Sequence, residues 1–155
     1  MNTLTKTIFI SSFAALIISC GGGSESTDGT NAAAPQSMMA AKENADPMQN
    51  KGIGPIKSLE LGEIDQDMAA LGKTIYEEKC SACHKATEKY IGPAPVGVLD
   101  RRTPEWVMNM ILNPEQMVKE DPIAKDLLKQ YLSPMANQSL TEDEARKILE
   151  YFRTL

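Results

Sequence analysis

The chain has one histidine, three cysteines and few aromatic residues, 5% in all, and each shortage closes off a class of protein. A structural zinc site needs four ligands, usually from two separated Cys or His pairs. With His84 the single histidine and Cys20 far along the chain from Cys80 and Cys83, that set is missing. No stretch alternates apolar and polar residues with the period of two that a half-buried strand requires, so no sheet is expected. The apolar run near the start, Thr7-Ile8-Phe9-Ile10 through Ala14-Ala15-Leu16-Ile17-Ile18, is too short to span a bilayer comfortably. The basic excess of a nucleic-acid binder is also missing. Residues 67–155 hold fourteen Asp and Glu against twelve Lys and Arg, and most of the net charge of −5 belongs to residues 20–66. So few aromatics would leave residues 67–155 with a thin core unless something other than side chains filled it.

What is present falls into three parts. Lys6 ahead of the short apolar run reads as a secretory signal. The run ends in Leu16-Ile17-Ile18-Ser19-Cys20, which resembles the lipobox of bacterial lipoproteins. Residues 1–19 are therefore expected to be removed and Cys20 to be lipidated. The two or three acyl chains of such an anchor, at about 0.8 kcal/mol per buried methylene, hold stably to a membrane. The alternative is an ordinary signal peptide with a coincidental cysteine, but an unpaired Cys before Gly21-Gly22-Gly23 has no evident structural use. Residues 20–66 are rich in Gly, Ser, Ala, Asn and Pro and lack a sustained apolar period. They read as a flexible tether with a span of roughly 35–40 Å, with packing of residues 53–61 on the head as the alternative.

Residues 67–155 are expected to form an all-α domain. Met68, Leu71, Ile75 and Tyr76 recur at helical spacing up to Lys79, so a first helix leads directly into Cys80. Thr103 as N-cap and Pro104 at the first helical position start a second helix carrying Trp106, Val107, Met110 and Ile111. Pro114 and Pro122 open two more short segments, the latter capped by Asp121. Thr141 and Glu144 form a capping box ahead of Ala145, Ile148, Leu149 and Phe152.

The chemistry lies in Cys80-Ser81-Ala82-Cys83-His84. Two thiols at this spacing can add to the two vinyl groups of one haem, and the adjacent imidazole becomes a proximal iron ligand. A thioredoxin-type pair would follow a strand in a βαβ setting, whereas this motif follows an amphipathic helix. A plain Cys80–Cys83 disulfide suits an oxidising compartment but leaves His84 unexplained. The solitary histidine leaves methionine, lysine or nothing for the sixth position, and a soft thioether that favours Fe(II) is the natural choice. Four methionines follow the motif. Met108 and Met110 sit on the second helix, with Met110 on its core stripe, and Met117 sits in a Pro-bounded segment. Met135 follows Ser133-Pro134 in a connection before the last helix, where a loop can press a side chain onto the open haem face. It is the candidate ligand, with Met117 as alternative.

With these residues in hand, residues 67–155 resemble the class I cytochrome c family, in particular its small bacterial periplasmic members. Gly72-Lys73-Thr74-Ile75-Tyr76 before Cys80 looks like that family's first helix, and Ile148, Leu149, Tyr151 and Phe152 look like the crossing partner. Ile91-Gly92-Pro93 resembles the loop whose proline carbonyl accepts the histidine Nδ1–H. In Arg101-Arg102-Thr103-Pro104-Glu105-Trp106 the resemblance makes Arg101, Arg102 and Trp106 candidate partners of the haem propionates.

The resemblance implies an electron-transfer protein rather than an enzyme, carrying one covalent haem c with His84 and Met135 on the iron. A haem peroxidase would want a distal acid–base residue, and no second histidine exists to provide it. The alternative function is a gas or redox sensor, or an accessory subunit, with an open sixth position; a head permanently docked in a respiratory complex is a third reading. A monomer is expected, periplasmic and lipid-anchored to the inner or outer membrane. Its expected donor is a quinol-oxidising complex. Its expected acceptor is a terminal reductase or oxidase, with a slight lean towards nitrous oxide reductase.

Overall fold

The computed structural model describes residues 46–155, and those residues contain five α-helices, one short 3-10 turn and no strand. The expected signal, the lipidated Cys20 and the first half of the tether lie outside the described residues. Helix α1 spans Gln66–Lys79 and is capped by the Asp65 carboxylate, which accepts from the Met68 amide. Helix α2 spans Pro104–Leu112 with Thr103 as its cap, α3 spans Pro114–Glu120, and α4 spans Pro122–Tyr131 with Asp121 as its cap. Helix α5 spans Glu142–Phe152 and starts from the reciprocal Thr141–Glu144 capping box. Among the described residues no helix is long and apolar enough to cross a membrane.

Helices α1 and α5 cross, and α2 packs on α5. The crossing is tight because of Gly72, where a Cβ would collide with the Lys147 carbonyl of α5. Tyr76 fills the space beside it, its ring 5.4 Å from Tyr151 and 5.7 Å from Phe152. The buried stripe of α1 is Ala69, Gly72 and Tyr76. Leu71, expected on that stripe, is instead 56% exposed, because the crossing is centred on the small residues rather than on the bulky ones. Ile148, Leu149 and Glu150 of α5 are wholly buried. The Glu150 carboxylate accepts from Arg146, from Arg153 at 2.8 Å and from the Asp65 amide at 2.8 Å. A buried charge is tolerated when it is paired and hydrogen-bonded in this way.

The expected tether boundary needs correction. Residues 46–65, placed by their composition in the 20–66 tether, lie as a strap against the helices, and they begin well before the 53–61 arm that was the alternative. Asn50 and Ile56 are buried. Asn109 of α2 accepts from the Ile56 amide at 3.0 Å and donates to the carbonyls of Lys51 and Ile56 at 2.8 and 2.9 Å. Gly54 lies so close that a Cβ there would strike the Asn109 side chain. The strap shows no apolar period because polar side chains of the head hold it by its backbone. At its start, Asn50 donates to the buried Asp121 carboxylate at 2.6 Å.

Candidate functional site

Cys80 ends α1, and the chain turns there so that the amides of Cys83 and His84 both donate to the Cys80 carbonyl, at 3.0 and 2.9 Å. The half-buried imidazole is then fixed from several directions. Its Nδ1 lies 2.8 Å from the Pro93 carbonyl oxygen. Because a carbonyl only accepts, Nδ1 carries the proton and Nε2 keeps its lone pair for a metal. The Tyr76 hydroxyl donates to the His84 carbonyl at 2.7 Å, and the Gly92 amide donates to the Cys83 carbonyl at 2.9 Å. A Cβ at Gly92 would sit 2.8 Å from Nδ1, so only glycine lets this loop approach the ring.

Cys80 and Cys83 are not bonded to each other; Cys80 is half-buried and Cys83 exposed. Burial pushes the Cys80 thiol up to about 11, with Cys83 adding to it, so this sulfur sits where an uncharged thioether is at home. Among the described residues no three His, Cys, Asp or Glu side chains converge to hold an ion.

Beside this turn lies an apolar cleft with two adjoining lobes of about 140 and 180 Å³, open to solvent on one side. Cys80, His84, Pro93, Trp106, Met110 and Met135 line both lobes, and Cys83 lines the second. The cleft thus brings together the attachment cysteines, the imidazole and the Met135 side chain from residues some fifty positions apart. Met117, the alternative ligand, is elsewhere: it is wholly buried and its sulfur accepts from the Ile53 amide at 3.0 Å, under the strap.

Arg101 and Arg102 line the first lobe. Arg101 donates to the carbonyls of Val96 and Ala94 at 3.1 and 3.3 Å, and Arg102 stacks over the Trp106 ring at 5.3 Å. Burial, and then the charge of Arg101, holds the Arg102 guanidinium below its ordinary value. The ion pairs among the described residues involve other side chains, so neither cation is in a salt bridge there, and the charge of Asp121 acts on Arg102 only beyond ion-pair distance. That is a natural place for a pair of propionates. Trp106 needs a correction as a propionate donor: its Nε1–H is given to the buried Asp121 carboxylate at 3.1 Å. Its ring forms the wall while its polar edge points away into the strap network.

The residues present therefore fit a haem. Two cysteines, an imidazole with a free Nε2, a thioether, apolar side chains and two cations line one cleft. The sequence reading missed Met110 as a wall residue, having placed it in the core. It also missed the Tyr76 hydroxyl bond that ties α1 to His84. The helical stripe that carries Met110 does face inward, but the inside at that point is the cleft.

The family model for cytochrome c matches residues 69–155, more than half of the chain. No curated protein matches. Among solved structures, cytochrome c from Rhodothermus marinus is 38% identical with a TM-score of 0.64, and the match covers 74% of this chain and 94% of that one. An engineered form of it matches at 37% and 0.64, over 74% and 95%. The engineered form bound to a carbene intermediate matches at 38% and 0.61, over the same shares. These matches cover more of this chain than residues 69–155, so the likeness extends upstream of the family model's boundary. The chain belongs to the cytochrome c family and carries covalently bound haem c.

Proposed function

We propose that this protein is a membrane-tethered, periplasmic electron carrier in which His84 and Met135 would both ligate the haem iron. One observation carries this reading: His84 and Met135 line the same two lobes of one cleft, whose remaining lining is mostly apolar. When bound, haem c supplies a one-electron iron couple. The chain's residues do the rest. Pro93 and Tyr76 fix the orientation of His84 through the bonds above. Arg101 and Arg102 would pair with the haem's propionates, and the apolar side chains of Ile111, Val107 and Leu127 would keep water from the interior of the cleft.

Lipidation of Cys20 and the residues that follow it would hold this head near a membrane while leaving it free to visit partners. The donor in this reading is a quinol-oxidising complex and the acceptor a terminal reductase or oxidase, nitrous oxide reductase among them. Carbon monoxide added to the reduced, haem-loaded protein tests the carrier against the sensor. Inert iron at neutral pH supports the carrier; fast, tight binding replaces it with a sensor that has an open sixth position. Cys20→Ala separately tests the anchor, since it should move the protein from the membrane fraction to the soluble periplasm with an unchanged haem spectrum.

A further inference from the structure

The cleft wall holds two methionines, and they are mounted differently. Met110 stands on α2, a helix clamped from behind by the strap: Asn109 bonds to Lys51 and Ile56, and Glu105 accepts from the Leu59 amide at 3.1 Å. Glu105 through Asn109 and Ile111 are buried, while Met110 is only half-buried and lines both lobes together with His84 and Met135. Met135 rides on residues 133–140, whose hydrogen bonds stay within the segment: Gln138 to the Ala136 carbonyl at 3.3 Å, and the Ser139 amide to Asn137 Oδ1 at 2.8 Å. The segment is entered through Leu132 at φ 55 and contains Ser139 at φ 53, left-handed conformations that residues with a Cβ adopt at a cost. Such a loop is an early candidate for local opening.

We propose that Met110 is a second thioether ligand held in reserve. When the 133–140 loop lifts, the bond from iron to the Met135 sulfur breaks and a bond from iron to the Met110 sulfur forms. The electron count does not change, and the sixth position stays closed. A methionine side chain has three rotatable bonds and a soft, polarizable sulfur, which suit it to this change of partner. Met108 is fully packed in the core and Met117 is engaged with the Ile53 amide, so neither competes. The inference rests on the reading of Met135 as the resident ligand.

The test uses the full-length, haem-loaded protein and its Met135→Ala, Met110→Leu and doubly substituted forms. Its readouts are the sulfur-to-ferric-iron charge-transfer band of the oxidised state and carbon monoxide binding to the reduced state. Met110→Leu should keep the native band. Met135→Ala should keep a displaced sulfur band and bind carbon monoxide slowly, and the double variant should lose the band and bind it fast. If Met135→Ala already matches the double variant, the reserve ligand is refuted while Met135 stands as the resident ligand. If Met110→Leu alone loses the band, Met110 is itself the resident ligand, and both readings fall. Leucine keeps the volume and apolarity of the wall, so loss of fold is separated from loss of sulfur by the helical circular dichroism of the same samples.

Discussion

Between Tyr76 and Pro93 the imidazole and the backbone of its turn are fixed by hydrogen bonds from a helix and a loop, whereas between residues 133 and 140 the hydrogen bonds stay within the segment itself. The wall beside His84 is thus held by hydrogen bonds, and the wall that carries Met135 is held mainly by packing of Met135 and Leu140 against the core. The difference suits the task. In the proposed carrier a fixed imidazole would give the iron one reproducible ligand, which would keep the reorganisation of the site small, and the Met135 thioether would be the second. Backbone bonding, more than the identity of the ligand, distinguishes the two sides.

The largest expected effect comes from the helix crossing beneath the proximal wall. Glu150 is wholly buried between Arg146 and Arg153 and accepts from the Asp65 amide. Glu150→Gln would leave those arginines without their counter-charge, and breaking a buried pair typically costs about 3–5 kcal/mol. Burial alone would raise the Glu150 carboxyl, but Arg146, the Asp65 amide and Arg153 outweigh it and hold it below its ordinary 4.5. A group depressed on folding stabilises fully above its unfolded value, and that stability is lost as pH falls through the folded value. Denaturant melts should therefore show wild type and Glu150→Gln well separated at neutral pH and converging in acid below the ordinary 4.5. A constant separation would remove the ionised carboxylate from this role.

A smaller effect is expected at the imidazole. Gly92→Ala puts a methyl against Nδ1 and must displace the ring or the Pro93 carbonyl, at about 1–3 kcal/mol for overpacking. The same melts, followed through the haem spectrum, should show this loss, while Gln138→Ala on the distal loop stays within about 0.5 kcal/mol of wild type. Equal losses would erase the contrast between the two walls.

The helix ends were legible in the sequence because capping chemistry is local. Thr103-Pro104, Asp121-Pro122 and Thr141 with Glu144 each start a helix at the expected residue. The cysteine motif and His84 were legible within a short stretch, and the Pro93 carbonyl was legible through the resemblance of Ile91-Gly92-Pro93 to the family's loop. The strap was not, since its anchors are the side chains of Asn109 and Glu105, which accept from its backbone amides, and of Asp121, which accepts from the Asn50 side chain, all from 46 to 71 residues away. Polar residues at such positions look like surface in a sequence. Met110 was misplaced because the core stripe and the cofactor wall are one face when the cofactor forms part of the core. Trp106 was assigned to the right wall, but the partner of its indole N–H was not visible in the sequence.

The smallest expected effect lies at the entry to the distal loop. Leu132 caps α4 in the left-handed region and is 85% exposed, so Leu132→Gly relieves strain at little loss of packing and should stabilise the protein by at most about 1 kcal/mol. A loss of stability there would mean that the leucine side chain holds the loop in place.

The contrast between the walls is measured most directly by amide hydrogen exchange on the haem-loaded protein. The amides of Cys83, His84 and Gly92, each donating to a carbonyl at 2.9–3.0 Å, should exchange only with global unfolding. Those of Met135 to Gln138 should exchange orders of magnitude faster under the same conditions. Protection of the distal segment equal to that of the cysteine turn would contradict a fixed proximal wall facing a yielding distal one.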